Sequence, residues 1–176
     1  MLVTLLSPFT PMIFMGEEWG ARTPWPFFSS HPEPELADLV RQGRVAEFAR
    51  MEWNVATVPD PQDEATFRSA QLDWTEPQQP EHAALLGLSR RLIEIRRTYP
   101  AFTDPRFAEG WTRSDDAGGW LLIGRGDTVT AVNFSHSPAE IADVGAVNSI
   151  LEIGEVTHRE PTVVLGAHSA LVGVRR

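Results

Sequence analysis

The stretch Ser7-Pro-Phe-Thr-Pro-Met-Ile-Phe-Met-Gly-Glu-Glu-Trp-Gly20 gives the strongest indication of the fold. Its four consecutive apolar residues, Met12–Met15, are typical of a parallel strand that is covered on both faces. A polar and aromatic loop follows at Gly16, and loops at the carboxyl ends of barrel strands build active sites. Only a few residues precede this stretch, so we expect the chain to begin near the end of a larger catalytic domain.

The rest of the chain changes character near residues 100–106, where we place a domain boundary. Residues 1–103 hold the predicted strand, a helix over about 35–51, an irregular stretch over about 52–80 and a second helix over Glu81–Tyr99. That second helix carries an apolar stripe at three- and four-residue spacing, formed by Leu85, Leu88, Leu92 and Ile95. Residues 104–176 contain short β-prone segments separated by turn residues, which predicts a small antiparallel β-sandwich. The segments are 120–123, 128–134, 149–153, 162–165 and 169–174.

Composition restricts the partners and the chemistry. The 176 residues carry a formal net charge of -9, so the chain should repel phosphate backbones and anionic lipids, and neither nucleic acid nor membrane is expected as a partner. There is no cysteine, which excludes disulfides and thiolate nucleophiles. The histidines lack metal-ligand spacing, and the sequence holds neither a G-x-G-x-x-G nor a Walker motif, so we expect neither a metal nor a cofactor. The first residues lack a basic secretory leader, and we expect a cytoplasmic location.

The candidate site residues lie in the loop that follows Met15. Glu17 and Glu18 are neighbours in extended chain and point in opposite directions, so they are not expected to act as a paired acid and base. Ordering of the loop, contact with substrate and direct catalysis all stay open for them. Aromatic side chains crowd the same loop, and they either stack on the apolar faces of sugars or form a hydrophobic cluster of their own. They are Trp19, Trp25, Phe27 and Phe28.

These motifs resemble those of the malto-oligosyltrehalose trehalohydrolases, which are α-amylase-type glycoside hydrolases. The resemblance is carried by residues 7–21, by Thr23-Pro-Trp-Pro-Phe-Phe28 and by His31-Pro-Glu-Pro-Glu35, and is extended by Pro59-Asp-Pro-Gln-Asp63 and Leu72-Asp-Trp74. It covers residues 1–103 closely and residues 104–176 only in kind. It implies the end of a (β/α)₈ barrel followed by a C-terminal β-sandwich. Met12–Met15 would be the eighth barrel strand and Glu81–Tyr99 the last barrel helix.

The resemblance also implies a reaction, hydrolysis of the α-1,4 bond next to the terminal trehalose of maltooligosyl trehalose. Retaining chemistry needs two carboxyl groups about 5 Å apart. In the family they lie on earlier strands whose motifs are absent from this chain, so we assign no catalytic residue and expect the chain alone to be inactive. It would contribute one wall of the substrate site, through Glu17, Glu18, Trp19, Trp25, Phe27 and Phe28.

Two other interpretations stay open. The chain could belong to an α-1,4-glucan branching enzyme or an α-amylase, because the Gly16-Glu-Glu18 element is shared with those enzymes. It could also be a non-catalytic carbohydrate-binding or interaction module. If the chain is the end of a barrel, a single strand at Met12–Met15 cannot close that barrel and would expose its edges, which predicts self-association.

Overall fold

The structure is a computed structural model that describes residues 1–52 and 54–176. Its α-helices are α1 (Leu2–Leu6), α2 (Pro34–Arg50), α3 (Glu64–Ser69) and α4 (Pro80–Thr98). Its strands are β1 (Gly110–Asp115), β2 (Trp120–Arg125), β3 (Thr128–Asn133), β4 (Ala139–Ile141), β5 (Val147–Ile153), β6 (Val156–Arg159), β7 (Thr162–Leu165) and β8 (Ala170–Arg175). The chain forms two compact units: unit 1 joins Met1–Phe14 to Gly87–Arg176, and unit 2 is Met15–Leu86.

Two antiparallel sheets make up most of unit 1, which confirms the predicted antiparallel β-domain. One sheet has the order β1-β2-β3-β8-β5 and the other the order β4-β7-β6. Apolar residues from both sheets, such as Leu122, Ile141 and Leu171, are fully buried in one shared core. Each of the five predicted segments corresponds to a strand, and only the end residues Phe134 and Ser169 lie outside. β1 and β6 were not predicted because they are mostly exposed and lack apolar alternation, and β4 was missed because it has only three residues.

A second core in unit 1 lies between α1, the carboxyl-terminal part of α4 and the larger sheet. It buries Leu5, Leu92 and Ile95 together with Val172 of β8. The predicted helix over Glu81–Tyr99 is confirmed with its bounds displaced by one residue. This packing joins residues on both sides of the boundary that we predict near 100–106, so unit 1 is not the same set of residues as the predicted domain 104–176.

The predicted strand at Met12–Met15 is not formed in this structure, and its place in a barrel stays a prediction. Residues 11–14 have no regular secondary structure, and Met15 begins a turn. Met12 is 88% exposed, and Phe14 and Met15 are also exposed. A parallel strand needs neighbouring strands to take up its backbone hydrogen bonds, and the described residues supply none here. No barrel is formed by this part of the chain, and the strand edge from which we predict self-association is absent from it; self-association stays a prediction.

Unit 2 consists of a long loop followed by helices. The predicted helix over 35–51 is confirmed as α2, but no residue of α2 is buried, and Leu36 and Leu39 lie exposed. The irregular stretch over 52–80 contains the unpredicted α3 and short 3₁₀ turns; residue 53 lies outside the described residues. None of the helices described is long and apolar enough to cross a membrane.

Candidate functional site

Glycine and a carboxylate shape the start of the candidate loop. Gly16 has a φ of +88°, and a Cβ there would lie 2.6 Å from Cβ of Ala21 and 3.0 Å from Cδ2 of Leu72, so only glycine fits. The amide of Ala21 donates to the carbonyl of Gly16 at 2.9 Å and closes the turn. The amide of Gly16 donates to Oε2 of Glu18 at 3.0 Å. Of the roles left open for Glu18, the structure shows that of ordering the loop.

Trp19 is the interior anchor of the loop. It is 5% exposed, and its indole N–H donates to Oε2 of Glu76 at 3.1 Å. The other oxygen of this buried carboxylate accepts the backbone N–H of Arg22 at 3.1 Å. The Trp19 ring also packs on the ring of Trp74, with centroids 5.4 Å apart. Trp19 therefore holds the loop from inside, as in the hydrophobic-cluster alternative, and offers little ring face to a ligand.

His82 completes this anchor from the first turns of α4. It is 3% exposed, and its Nδ1 lies 2.7 Å from the carbonyl oxygen of Trp19. Because a carbonyl only accepts, Nδ1 carries the proton. Neither Glu76 nor His82 is predicted as a site residue from the sequence. Glu76 begins a short polar 3₁₀ turn, which marks it as a polar residue in a turn. No local pattern in the sequence shows that it contacts the loop at Trp19.

Trp25 and Phe27 line an open aromatic cavity. Trp25 is 71% exposed, and the cavity has a volume of about 230 Å³. The guanidinium of Arg44 on α2 lies between two rings, 4.9 Å from the centroid of Phe27 and 4.7 Å from that of Phe48. An exposed indole beside a fixed group of N–H donors can bind a neutral, hydroxyl-rich ligand through ring stacking and hydrogen bonds.

Phe28 points away from that cavity and belongs to a second one. Its ring meets Phe67 of α3 edge to face, with centroids 5.2 Å apart. The second cavity, about 540 Å³, is also lined by Ser29 and Gln62, and the Gln62 amide donates to the Ser29 hydroxyl at 2.7 Å. The structure thus brings Trp25 and Phe27 together and separates Phe28 and Trp19 from them. Glu17 is exposed on the turn.

Two aspartates of the irregular stretch over 52–80, Asp60 and Asp63, have structural roles. Asp60 accepts the backbone N–H of Gln62 at 2.9 Å and the Nε–H of Arg41 at 2.7 Å, and these bonds lower the pKa of the Asp60 carboxyl. Asp63 caps α3 by accepting the amide of Ala65. In the part of the chain that the structure describes, no group of three or more His, Asp or Glu side chains could hold a metal ion.

No family model matches the chain, but curated proteins are similar to it in sequence. The chain is 48% identical over 154 residues to the malto-oligosyltrehalose trehalohydrolase of Arthrobacter ramosus, covering 88% of the chain and 26% of that protein. The chain is 49% identical over 140 residues to the protein of the same name from Rhizobium sp. (strain M-11). That alignment covers 80% of the chain and 24% of the relative. The chain is homologous to part of the malto-oligosyltrehalose trehalohydrolases. It spans about a quarter of their length.

Solved structures agree on the fold class. A candidate alpha amylase from Salmonella typhimurium superposes on 99% of the chain with a TM-score of 0.81 and 27% identity, and 30% of that protein is covered. A mutant isomaltulose synthase from Erwinia rhapontici NX5 covers 98% of the chain, with 36% of its own length matched, at a TM-score of 0.61 and 16% identity. The second likeness concerns the fold alone. The chain therefore shares its fold with part of an α-amylase-type protein.

Proposed function

We propose that this chain is the C-terminal part of a retaining glycoside hydrolase that releases trehalose from maltooligosyl trehalose. The observation that carries the proposal is the 48% identity to a protein named malto-oligosyltrehalose trehalohydrolase over 88% of the chain. In the intact enzyme Met12–Met15 would form the eighth barrel strand once neighbouring strands pair with it. α4 would be the last barrel helix, residues 104–176 the C-terminal domain, and the cytoplasm the place of action.

The loop would form one wall of the substrate site. Trp25 and Phe27 present ring faces, and Arg44 presents N–H donors between two rings, which together suit the apolar face and hydroxyl groups of a glucan. Trp19 and Glu18 would act from inside by fixing the loop on Glu76 and Gly16. The nucleophile and the acid–base carboxyl group would come from the rest of the enzyme, so the isolated chain would not hydrolyse substrate.

One observation favours a second function, that of a carbohydrate-binding module. The cavity at Trp25 and Phe27 is built entirely from residues of unit 2, so it would exist without the rest of an enzyme. Measurement of turnover distinguishes the two functions, because only the glycoside hydrolase function requires the loop to affect turnover.

A segment exchange tests the proposal. The aligned quarter of the Arthrobacter ramosus relative is replaced by this chain, and trehalose release from maltooligosyl trehalose is measured for the hybrid and for the isolated chain. We expect turnover by the hybrid and none by the isolated chain. Trp25→Ala in the hybrid should lower kcat/KM about tenfold, whereas Leu39→Ala, at another exposed apolar position, should not. A folded but inactive hybrid, or turnover by the isolated chain, would contradict the proposal.

A further inference from the structure

Unit 1 contains a buried arginine whose guanidinium makes no hydrogen bond to the described residues. Arg125, at the end of β2, is only 3% exposed. None of its three guanidinium nitrogens has a hydrogen-bond partner among residues 1–52 and 54–176. A guanidinium is always charged and carries five donors, so burying it without an acceptor is strongly unfavourable. The position of Arg125 is understandable if an acceptor comes from outside the described residues.

Neighbouring charges in unit 1 do not supply that acceptor. Arg96 is a second cation near Arg125. Burial lowers the pKa of the Arg96 guanidinium, and the charge of Arg125 contributes a smaller effect in the same direction. The guanidinium of Arg96 donates to backbone carbonyls of the α1 segment, including that of Ser7 at 2.8 Å. Asp104 is engaged by Arg106, with an N–O distance of 2.6 Å. The charge of Arg125 also contributes a little to the lowered pKa of the Asp104 carboxyl, but the hydrogen bonds of that carboxylate go to Arg106 and none goes to Arg125.

An apolar cavity of about 450 Å³ opens beside Arg125 within unit 1. The strands line it with Trp111, Leu121 and Ile123, and the segment after α1 lines it with Phe9. Phe107 lies over the guanidinium, with its ring centroid 6.0 Å from Cζ of Arg125, and packs on the ring of Phe9 with centroids 5.4 Å apart. An occupant must displace the Phe107 ring to reach the charge, because the guanidinium nitrogens are buried. The cavity thus offers apolar walls and one buried cation, which complements an occupant with an apolar body and a single negative group.

We propose that this cavity is the docking site of a carboxylate-bearing segment of the longer enzyme. An aspartate or glutamate of that segment pairs with Arg125 through two parallel N–H···O bonds, and an adjacent apolar side chain fills the space against Trp111 and Leu121. The source of the segment rests on the proposed function, because the chain spans about a quarter of the length of its curated relatives. The carboxylate chemistry of the cavity does not depend on that function.

The chemistry is tested on the 176-residue chain with 3-phenylpropionate as the probe. We expect it to shift the Arg125 Nε–H signal in ¹⁵N-arginine NMR spectra and to raise Tm by about 4 °C at saturating concentration. The neutral isostere 3-phenylpropionamide should do neither. Arg125→Met should abolish the effect and Arg113→Met, on exposed β1, should keep it. Equal effects of acid and amide, or no effect of the acid on either signal, would overturn the proposal. If Arg125→Met does not fold, the acid–amide comparison on the unaltered chain decides.

The source of the occupant is tested in the hybrid enzyme described above. If the cavity is already filled by a segment of the relative, 3-phenylpropionate should no longer raise Tm, and Arg125→Met should lower Tm more than in the isolated chain. Equal binding of the probe by hybrid and isolated chain would make the cavity a site for free carboxylates and overturn docking. Trehalose release is read separately, so loss of activity alone counts against the proposed function and not against the cavity.

Discussion

The indole nitrogen of Trp19 donates a hydrogen bond to Oε2 of Glu76, 3.1 Å away and 57 residues along the chain. Because the other oxygen of Glu76 holds the amide of Arg22, one buried carboxylate fixes two points of the loop that precede Trp25. The carbonyl of Trp19 is held in turn by His82. The exposed aromatic side chains that we propose to contact glucan are thus presented from a polar anchor inside unit 2.

Replacing Glu76 by Gln tests this anchor. The amide keeps the size of the carboxylate but turns one acceptor into a donor, so either Trp19 or Arg22 loses its partner. We expect the free energy of unfolding to fall by about 1–3 kcal/mol, measured by urea denaturation followed through tryptophan fluorescence. Glu64→Gln, which removes an exposed ion pair with Arg68, should leave stability unchanged. Equal effects of the two variants would mean that the buried hydrogen bonds do not hold the loop.

Two glycine substitutions should have opposite effects in unit 2. Gly16→Ala forces a Cβ to within 2.6 Å of Ala21 at a φ of +88°, so we expect a loss of about 1–3 kcal/mol in stability. Gly43 is exposed within α2, and a Cβ there would meet no atom within 4 Å. Gly43→Ala should therefore stabilise the chain by about 1 kcal/mol. Thermal unfolding monitored by circular dichroism measures both, and stabilisation by Gly16→Ala would contradict the turn described here.

The sequence predicts those parts of the structure that depend on local pattern. The spacing of Leu88, Leu92 and Ile95 predicts α4, and short β-prone segments between turn residues predict five of the strands. The apolar run at Met12–Met15 forms no strand here because a parallel strand needs neighbouring strands, which the described residues do not supply. The role of Glu76 is not predicted from the sequence because it depends on contacts with Trp19 and Arg22, which lie more than fifty positions away. No local pattern encodes such contacts.

We expect acid to lower the stability of unit 1 because it protonates the carboxylate of Asp104. Hydrogen bonds from the side chain and the backbone of Arg106 lower the pKa of the Asp104 carboxyl to about 2, from an ordinary value of 3.8. A carboxyl group whose pKa is lower in the folded state stabilises the fold above the unfolded pKa, and that stabilisation is lost as the pH falls from about 4 toward 2. Asp104→Asn should therefore flatten the acid limb of a plot of Tm against pH. Asp116→Asn, in the β1–β2 turn, should leave that limb as it is. Parallel curves for Asp104→Asn and the unaltered chain would contradict this assignment.

Two tryptophan substitutions separate a ligand platform from a structural cluster. Trp25 is 71% exposed, so Trp25→Ala should change the stability of the isolated chain little. Trp19→Phe keeps an aromatic ring but removes the donor to Oε2 of Glu76, and we expect a loss of about 1–3 kcal/mol because the buried carboxylate oxygen is left without it. Urea denaturation followed by circular dichroism compares both variants without relying on the altered fluorophore. If Trp25→Ala destabilises the chain as much as Trp19→Phe, the outer ring also packs for structure, and its proposed contact with glucan loses its physical basis.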